Sequence, residues 1–255
     1  METICDHNYL EVVCVKLGFV GKLVIDKIGR NKGLCLFWSQ NVEVGLLSFS
    51  RFYINVKIGL HTNKVWRYTG FYGHPEASQR IHSWTLLRRF QGMSILPRLY
   101  SGAFNEVLND FEKSGRSPKQ QHLIDNFRNV LNDCGFKDIG FFGPAFTWCN
   151  RRDDLDLIHE HIDRWVCILA WRFLFPSSQV RHLDFRCWGH RLVLMSASAP
   201  ILTHPDRIFQ GNRFHFEAYW VTNVHCLNLV KEAWGSSSGN SSASVLVFGI
   251  RNSLA

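Results

Sequence analysis

The stretch LYSGAFNEVL, from Leu99 to Leu108, decides how this 255-residue sequence is interpreted. It begins as a short buried strand, turns at Gly102, and then supplies the polar side chains Asn105 and Glu106. Loops that follow a buried strand are common places for chemistry. Ala103, where the turn begins, can neither bind a metal ion nor transfer a proton. The stretch is therefore either an ordinary strand end or an active-site turn that has lost its acid.

Short apolar segments bounded by polar residues or glycine predict strands on both sides of this stretch. Before it, we predict strands over Gly33–Trp38, Val44–Ser50, Tyr53–Leu60 and Trp66–Pro75, the last ending in a Gly-His-Pro turn. After it, we predict strands over Asp138–Trp148, Leu157–Trp165 and Arg191–Met195.

Two amphipathic helices are predicted between these groups of strands. The first covers Glu76–Met93, with an apolar stripe formed by Ile81, Trp84, Leu87 and Phe90. The second begins with a capping box at Ser117–Gln120 and has proline at its first helical position. Its stripe consists of Leu123, Phe127, Val130, Leu131 and Cys134, and Gly135 ends it. Strands, two helices and strands again predict a mixed α/β domain built on sheets.

Composition and charge favour a folded protein with an anionic partner. With 46% hydrophobic and 20% charged residues, the chain can bury a substantial core. The net charge of +8 and the isoelectric point near 9.2 favour nucleic acid, with a merely basic surface as the alternative. The eight cysteines include no Cys-x-x-Cys pair, which favours buried, reduced thiols over a zinc site or a disulfide framework.

We expect a soluble, intracellular protein, nuclear or cytoplasmic, that does not associate with membranes. The N-terminal METICDHNYL has an early acid and lacks the apolar segment of a signal peptide. The most apolar run, Trp165–Phe175, contains Arg172 and is too short to span a bilayer. The serine- and glycine-rich Gly235–Ser244 is a flexible linker by composition.

Six short motifs, taken in order, resemble those of the endonuclease/exonuclease/phosphatase superfamily, which has the DNase I-like fold. They are METIC at Met1–Cys5, GFYGHP at Gly70–Pro75, GAFNE at Gly102–Glu106, FTWCNRR at Phe146–Arg152, EHIDR at Glu160–Arg164 and WGHRLVLM at Trp188–Met195. They are similar, in that order, to METKC, the family's tyrosine strand, GDFNE, FTWxNRR, ERLDR and an SDHRPLLL-type terminal strand. Together with His74–Phe90 and Arg213–Trp234, they most resemble the endonuclease domain of plant LINE-type (non-LTR) retrotransposons.

The resemblance extends over residues 1–234 and implies a four-layer α/β sandwich, two sheets flanked by helices, with the family's first strand missing. Residues 1–200 would form the DNase I-like domain, 201–234 a linker segment after the endonuclease, and 235–255 a flexible tail. The implied activity is hydrolysis of phosphodiester bonds in DNA with a divalent ion, usually Mg²⁺. We expect a monomer that needs no small-molecule cofactor.

The resemblance also assigns a role to individual residues. Glu2 matches the metal-ligand glutamate, and His190 matches the histidine that brings water in line with phosphorus. Three further residues match groups that position the phosphate and its transition-state charge: Tyr72, Asn105 and Thr147. Asp163 matches the acid of the ERLDR-type motif, which we do not expect to be the partner of the catalytic histidine.

Two acids of the family pattern are absent. The GDFN aspartate, which orients or deprotonates the attacking water, falls on Ala103, and the SDH aspartate, which holds and charges the histidine, falls on Gly189. In the serine-protease template, losing the histidine-orienting aspartate costs roughly 10⁴-fold in rate. Losing a general base costs roughly 10²–10⁴-fold. Glu106 and Asp184 are the acids that could have replaced them, while Trp188 and Ile4 depart from the family pattern nearby.

Three interpretations remain open: a truncated, degenerate endonuclease with little or no nicking activity, a non-catalytic nucleic-acid-binding remnant, and a pseudogene-like product that does not fold stably. The third reflects the exposed sheet edge that a missing strand would leave. The second depends on basic residues expected to cluster around the site: Arg88, Arg89, Arg98, Lys113, Arg116, Lys119, Arg151, Arg152 and Arg164. Restoring both acids, by Ala103→Asp with Gly189→Asp, is expected to raise activity.

Overall fold

The structure, a computed structural model, describes residues 2–3, 5–27, 33–62, 64–152, 156–183 and 189–197. The strands are β1 Glu2–Thr3, β2 Gly21–Ile25, β3 Gly33–Trp38, β4 Val44–Ser50, β5 Tyr53–Ile58, β6 Trp66–Tyr72, β7 Arg98–Ala103, β8 Lys113–Ser114, β9 Phe136–Asp138, β10 Trp148–Cys149, β11 His159–Glu160, β12 Asp163–Ile168, β13 Gln179–His182 and β14 Val193–Ser196. The helices are α1 His7–Lys16, α2 Arg80–Gln91, α3 Gln121–Asp133 and α4 Leu169–Leu174, and two 3₁₀ turns cover Ala77–Gln79 and Asp110–Glu112. The predicted linker and tail, together with Ile4, Asp184 and Trp188, lie outside the described residues.

A six-stranded sheet in the order β4-β5-β6-β7-β12-β9 forms the centre of the structure. Its neighbouring strands are antiparallel except for β6 and β7, which run parallel. A parallel pair needs a crossover connection, and α2 supplies it. Every residue of β6 is buried, because both faces of the sheet are covered at its centre.

A second layer of strands covers one face of the central sheet. It consists of the β1-β3-β2 sheet and the β13-β14 hairpin. Leu34 and Leu36 of β3 and Met195 of β14 belong to the same buried cluster as Tyr68 and Trp165 of the central sheet. Helix α1 contacts β2 and buries part of its own apolar side, and its Cys14 lies close enough to act electrostatically on Cys35 of β3.

Helices α2 and α3 cover the other face of the central sheet. They pack through a second buried cluster formed by Trp84, Leu87, Phe90, Phe127, Val130 and Leu131 together with Phe71, Tyr100 and Val166 of the sheet. The rings of Trp84 and Phe127 stack with their centroids 4.9 Å apart. The predicted mixed α/β architecture, with helices flanking layers of strands, is confirmed.

The predicted strand over Asp138–Trp148 is wrong. Only its two ends belong to strands, and the residues between them form a loop with a single bridge from Phe142 to Arg181. Gly140 and Gly143 adopt positive φ angles of 77° and 104°, which interrupt an extended ladder. The segment is apolar in composition, but most of its residues are exposed, including Phe141 and Phe142, so its apolar side chains do not mark a buried strand.

The predicted strand over Leu157–Trp165 is two strands. β11 pairs with β8 and β10 in a small sheet, and β12 pairs with β7 and β9 in the central sheet. The chain passes from the small sheet to the central sheet at His161 and Ile162, so one apolar run of sequence contains strands of two different sheets.

The capping box predicted at Ser117–Gln120 is wrong. Helix α3 begins at Gln121 after an extended Gln120, without a side-chain hydrogen bond at its cap. Lys119 lies 3.1 Å from the carboxylate of Glu160 and 3.5 Å from that of Glu106, which holds this segment outside the helix.

The predicted apolar stripes of α2 and α3 each need one correction. Ile81 is exposed, and in α3 Ile124 is buried where Leu123 was predicted. Helix α1 had no predicted counterpart, although Asp6 caps it by accepting a hydrogen bond from the Tyr9 amide at 2.8 Å. No helix in the described part of the chain is long and apolar enough to cross a membrane.

His182 of β13 makes the fold sensitive to acid. Its ring stacks on Phe141 with centroids 4.0 Å apart, and its Nδ1 lies 2.8 Å from the carbonyl oxygen of Pro144. Burial lowers the pKa of His182 to about 4, although the Pro144 carbonyl opposes part of that shift. The unfolded chain therefore binds a proton at His182 between about pH 6.5 and 4, and the folded chain does not. Stability must fall as the pH falls through this range.

We predict that His182→Gln removes much of this acid sensitivity. One pKa unit corresponds to about 1.4 kcal/mol, so His182 alone accounts for a loss of about 2 kcal/mol in the free energy of unfolding between pH 6.5 and 4.8. Urea unfolding at the two pH values measures it. The exposed His122→Gln serves as the control and should keep the full loss. Equal losses in wild type and His182→Gln would contradict the prediction.

Candidate active site

Three neighbouring strands of the central sheet bring Tyr72, Ala103 and Asp163 into one row. Tyr72 of β6 is the register partner of Ala103 in the parallel pair, and Ala103 of β7 is the partner of Asp163 in the antiparallel pair with β12. The Cβ atoms of opposed residues in an antiparallel pair lie roughly 4.5–5.5 Å apart on the same face. An acid at position 103 would therefore stand directly beside Asp163. Ala103 is instead only 3% exposed and packs with the core.

His190 and Asp163 form a hydrogen-bonded pair. Nδ1 of His190 lies 2.9 Å from Oδ2 of Asp163, and both side chains are about five-sixths buried, at 15% and 17% exposure. The backbone holds His190 there through a bridge to Trp148, and the Cys149 amide donates to the Gly189 carbonyl at 2.7 Å. With Nδ1–H donated to the carboxylate, Nε2 is left available for a further hydrogen bond or proton transfer.

This pairing corrects the expectation that Asp163 is not the partner of the histidine. The sequence motif separated the two residues because they are 27 positions apart. The register of β12 brings them together by placing Asp163 at its first position, where the turn containing His190 crosses. Replacement of the SDH aspartate by Gly189 therefore leaves the histidine with a carboxylate partner.

The environment keeps Asp163 ionised. Burial raises the pKa of this carboxyl, but the neighbouring His190 and the hydrogen bonds from His190 and Thr147 lower it by more, so that it lies below the ordinary value. An ionised Asp163 can both orient the imidazole and stabilise its protonated form.

Thr147 fixes the start of β12. Its hydroxyl oxygen is fully buried and accepts hydrogen bonds from the amides of Ile162 and Asp163, both at 3.0 Å. Its own carbonyl accepts from the Arg191 amide at 2.6 Å, which ties the turn containing His190 to the same point. Thr147 thus positions both members of the pair.

Asn105 joins the turns that follow β6 and β7. It has a positive φ of 61°, and its side-chain Nδ2 donates to the Gly73 carbonyl at 2.5 Å. The Gly73 amide in turn donates to the Ala103 carbonyl at 2.7 Å. Five of the six predicted site residues, namely Tyr72, Asn105, Thr147, Asp163 and His190, are therefore linked at one end of the sheet by strand register and hydrogen bonds.

Glu106 does not replace the missing acid. Its side chain is only 1% exposed and forms an ion pair with Arg80, which also donates to the carbonyls of His74 and Pro75. Lys119 lies on the other carboxylate oxygen. The ion pair between Arg80 and Glu106 was not predicted from sequence. The signal for it in the sequence was an arginine at the start of an amphipathic helix, together with the acid of the GAFNE turn.

The described residues alone do not form a site for a divalent metal ion. Glu2 lies in β1 with its backbone opposite Leu34, and its side chain is outside the described residues, as is Asp184. Within the described residues, no group of three or more His, Cys, Asp or Glu side chains is arranged to hold a metal. Magnesium requires several oxygen ligands near octahedral geometry, and Ala103 offers none.

Gly189 is a difficult position for an aspartate. Its φ is 73°, and a Cβ atom there would lie 2.9 Å from the Cys149 carbonyl oxygen and 3.8 Å from Nε of Arg151. Aspartate tolerates the left-handed region better than most residues do, but the approach to a backbone oxygen cannot be relieved by a side-chain rotation. Restoring this acid would thus strain the turn that carries His190.

Several members of the predicted basic cluster are buried or paired with carboxylates. Arg98 and Arg164 are buried, and Arg164 forms ion pairs with Glu112 and Asp138. Other members are ion-paired, namely Arg88 with Asp133, Arg116 with Asp156, and Lys119 with Glu106 and Glu160. Arg151 and Arg152 are exposed and follow directly on the strand that contacts Gly189.

Comparisons with known proteins show the fold. No protein-family model matches the sequence, and no curated protein matches it. The chain is similar to the endonuclease domain of TRAS1, a telomere-specific non-LTR retrotransposon, with a TM-score of 0.50 and 12% identity over 68% of this chain and 78% of that one. This likeness shows the DNase I-like fold that the motifs predict.

Two further solved structures are also similar to this chain. The catalytic domain of human Nocturnin matches with a TM-score of 0.42 and 13% identity over 74% of this chain and 75% of that one. An endonuclease/exonuclease/phosphatase family protein from Leptotrichia buccalis matches with a TM-score of 0.38 and 13% identity over 71% and 74% of the two chains.

We predict that Thr147→Val destabilises the protein by about 2–4 kcal/mol. Valine keeps the shape but leaves the amides of Ile162 and Asp163 without their acceptor, and each buried unsatisfied donor costs roughly 1–3 kcal/mol. Thr147→Ser, which keeps the hydroxyl, should lose less than half as much. Urea unfolding measures all three proteins. Equal stabilities of the valine and serine variants would show that the hydroxyl does not fix β12.

Proposed function

We propose that this chain is the endonuclease domain of a plant LINE-type retrotransposon in which Mg²⁺-dependent hydrolysis of DNA phosphodiester bonds is strongly impaired. One observation carries the proposal: Ala103 occupies the row between Tyr72 and Asp163, where the GDFN-type motif has an aspartate, while the His190–Asp163 pair is retained. In this proposal residues 1–200 form the catalytic domain, and the linker and tail follow it. The protein acts inside the cell as a monomer.

Hydrolysis of a phosphodiester requires a water molecule to lose a proton as it attacks phosphorus and the leaving oxygen to be stabilised. His190, held through Nδ1, can accept or donate a proton or hydrogen bond at Nε2. Asn105 is held at the same end of the sheet by its hydrogen bond to the Gly73 carbonyl and can orient a phosphate. The Ala103 methyl group contributes nothing to activating the water.

The expected loss of activity is smaller than the sequence suggested. A histidine without its carboxylate would be slower by roughly 10⁴-fold, but Asp163 holds His190. The remaining deficit is that of a missing general base, roughly 10²–10⁴-fold. The site is therefore impaired rather than dismantled.

We predict that Ala103→Asp alone raises nicking of supercoiled plasmid DNA in the presence of Mg²⁺ by about 100-fold or more. Ala103→Asn is the matched control, because it has the same shape without the negative charge. Thermal melts must show that both variants fold, since a buried carboxylate beside Asp163 destabilises the native state.

Two further variants sharpen the test. Adding His190→Ala to Ala103→Asp should abolish the gain, which excludes a contaminating nuclease. Adding Gly189→Asp should lower the melting temperature because of the clash with the Cys149 carbonyl. If wild type already nicks as fast as Ala103→Asp, the impaired site is refuted.

A non-catalytic nucleic-acid-binding remnant is the second candidate, favoured by the exposed Arg151 and Arg152 beside the site. In that case the folded Ala103→Asp variant would bind DNA without cutting it.

We predict that affinity for duplex DNA falls steeply with salt, with a slope of log K against log salt of about −0.9 for each phosphate contacted. Arg152→Gln should reduce the slope by about 1. Arg89→Gln is the control. Arg89 is exposed near the C-terminal end of α2, where Arg98 begins β7, whereas the candidate site lies by the N-terminal end of this helix. Fluorescence anisotropy with a labelled duplex measures both. Affinity that is the same at low and high salt would rule out phosphate contacts.

A further inference from the structure

Two arginines are buried side by side where the C-terminal end of α2 meets the central sheet. Arg67 of β6 and Arg98 of β7 are register partners, and they are only 2% and 7% exposed. Among the described residues, the titratable groups that act on Arg67 are Tyr100, Arg98 and Tyr53, none of which is a carboxylate. Burial, together with the neighbouring Arg98, lowers the pKa of Arg67, as expected for a cation without a counter-charge.

The hydrogen bonds of this pair satisfy only part of the two guanidinium groups. Arg67 Nε donates to Oδ1 of Asn55 at 2.6 Å, and its guanidinium lies 4.9 Å from the centre of the Phe90 ring. Arg98 Nη1 donates to the carbonyls of Phe90 and Gln91, at 3.2 and 3.1 Å, where α2 ends. These carbonyls are the negative end of the helix dipole.

Two guanidinium donor atoms at this place remain without an acceptor. Within the described residues, Nη2 of Arg67 and Nε of Arg98 are buried and make no hydrogen bond, and the buried hydroxyl of Tyr100 has only the Thr69 side chain near it. Tyr100 stands two residues after Arg98 on β7, so the three groups face the same side of the sheet. Buried polar groups are almost always satisfied, and an unpaired buried charge is strongly unfavourable.

The phenol cannot supply the missing negative charge. Burial raises the pKa of Tyr100, and Arg67, Arg98 and Thr69 beside it offset only part of that rise. Tyr100 therefore stays protonated and acts as a donor. Two unpaired guanidinium donors on neighbouring strands, with two positive charges and a tyrosine hydroxyl on the same face of the sheet, call for an acceptor that carries negative charge.

We propose that Arg67, Arg98 and Tyr100 bind a monovalent inorganic anion, with chloride as the ion of this class that a cell supplies. The site is closed to solvent, so an entering ion must lose its hydration shell, and a multivalent oxyanion would lose far more hydration energy than a halide. One negative charge, with the α2 carbonyls, balances the pair. Arg98 is the first residue of β7 and Ala103 is the last, so the two residues lie about 16 Å apart at the usual strand rise. The anion site is therefore independent of the proposed nuclease function.

The bound anion should stabilise the folded chain. An ion that binds only the native state lowers the unfolded fraction about tenfold for each tenfold rise in its concentration above the dissociation constant. We predict this response for the full chain in sodium chloride, compared with sodium gluconate at the same ionic strength. Gluconate is monovalent but too large for a closed site. Thermal or urea unfolding measures the difference, and bromide should replace chloride.

Variants assign the effect to these residues. Tyr100→Phe removes one donor and keeps the ring, so it should fold and weaken the chloride response, and Arg67→Met should abolish it. The control is Arg89→Met, which changes an exposed arginine near the same end of α2 and should leave the response unchanged. If Arg67→Met does not fold, the Tyr100→Phe variant and crystals grown in bromide decide whether the anion site exists.

Crystals grown in sodium bromide provide that observation. An anomalous peak within hydrogen-bond distance of Arg67 Nη2 and Arg98 Nε supports the site. Equal stability in chloride and gluconate, together with no anomalous peak there, overturns it and leaves water as the acceptor.

Discussion

The parallel pairing of β6 with β7 is the constraint from which the rest of the molecule follows. It is the single parallel pair among the described strands of the central sheet, so the chain must leave the sheet between them and return. Helix α2 makes that return and buries Trp84, Leu87 and Phe90 against the sheet. Because the two strands point the same way, the turns that follow them meet at one edge. The candidate site is built at this edge.

The same crossover sets the geometry of the site. Arg80 stands at the start of α2, where it holds the turn after β6 through the His74 and Pro75 carbonyls and the turn after β7 through Glu106. These contacts do not involve the side chain at position 103. An alanine at this position therefore does not loosen the frame, and the small apolar Ala103 packs into the core. The two turns stay in place whether or not position 103 carries an acid.

Local patterns in the sequence predicted what local forces determine. The bounds of β3 and β4 and the buried face of α2 follow from periodicity, which needs only neighbouring residues. The pairing of Asp163 with His190 could not be predicted in this way, because it depends on the register of β12 against β7. The loop after β9 was mistaken for a strand because its composition is apolar, whereas the positive φ angles of Gly140 and Gly143 interrupt an extended ladder. Motif order named the candidate site residues, and the sheet register shows which of them lie together.

The positions of the arginines in the structure also change how the net positive charge of the chain is interpreted. A net charge of +8 suggested a surface suited to a polyanion, yet Arg67, Arg98 and Arg164 are in the interior. Arg164 is balanced by two carboxylates, whereas Arg67 and Arg98 depend on carbonyls, aromatic rings and an acceptor still to be supplied. Buried guanidinium groups cannot contact a ligand in solution. Under the proposed function, contacts with nucleic acid must therefore come from fewer side chains than the composition implies.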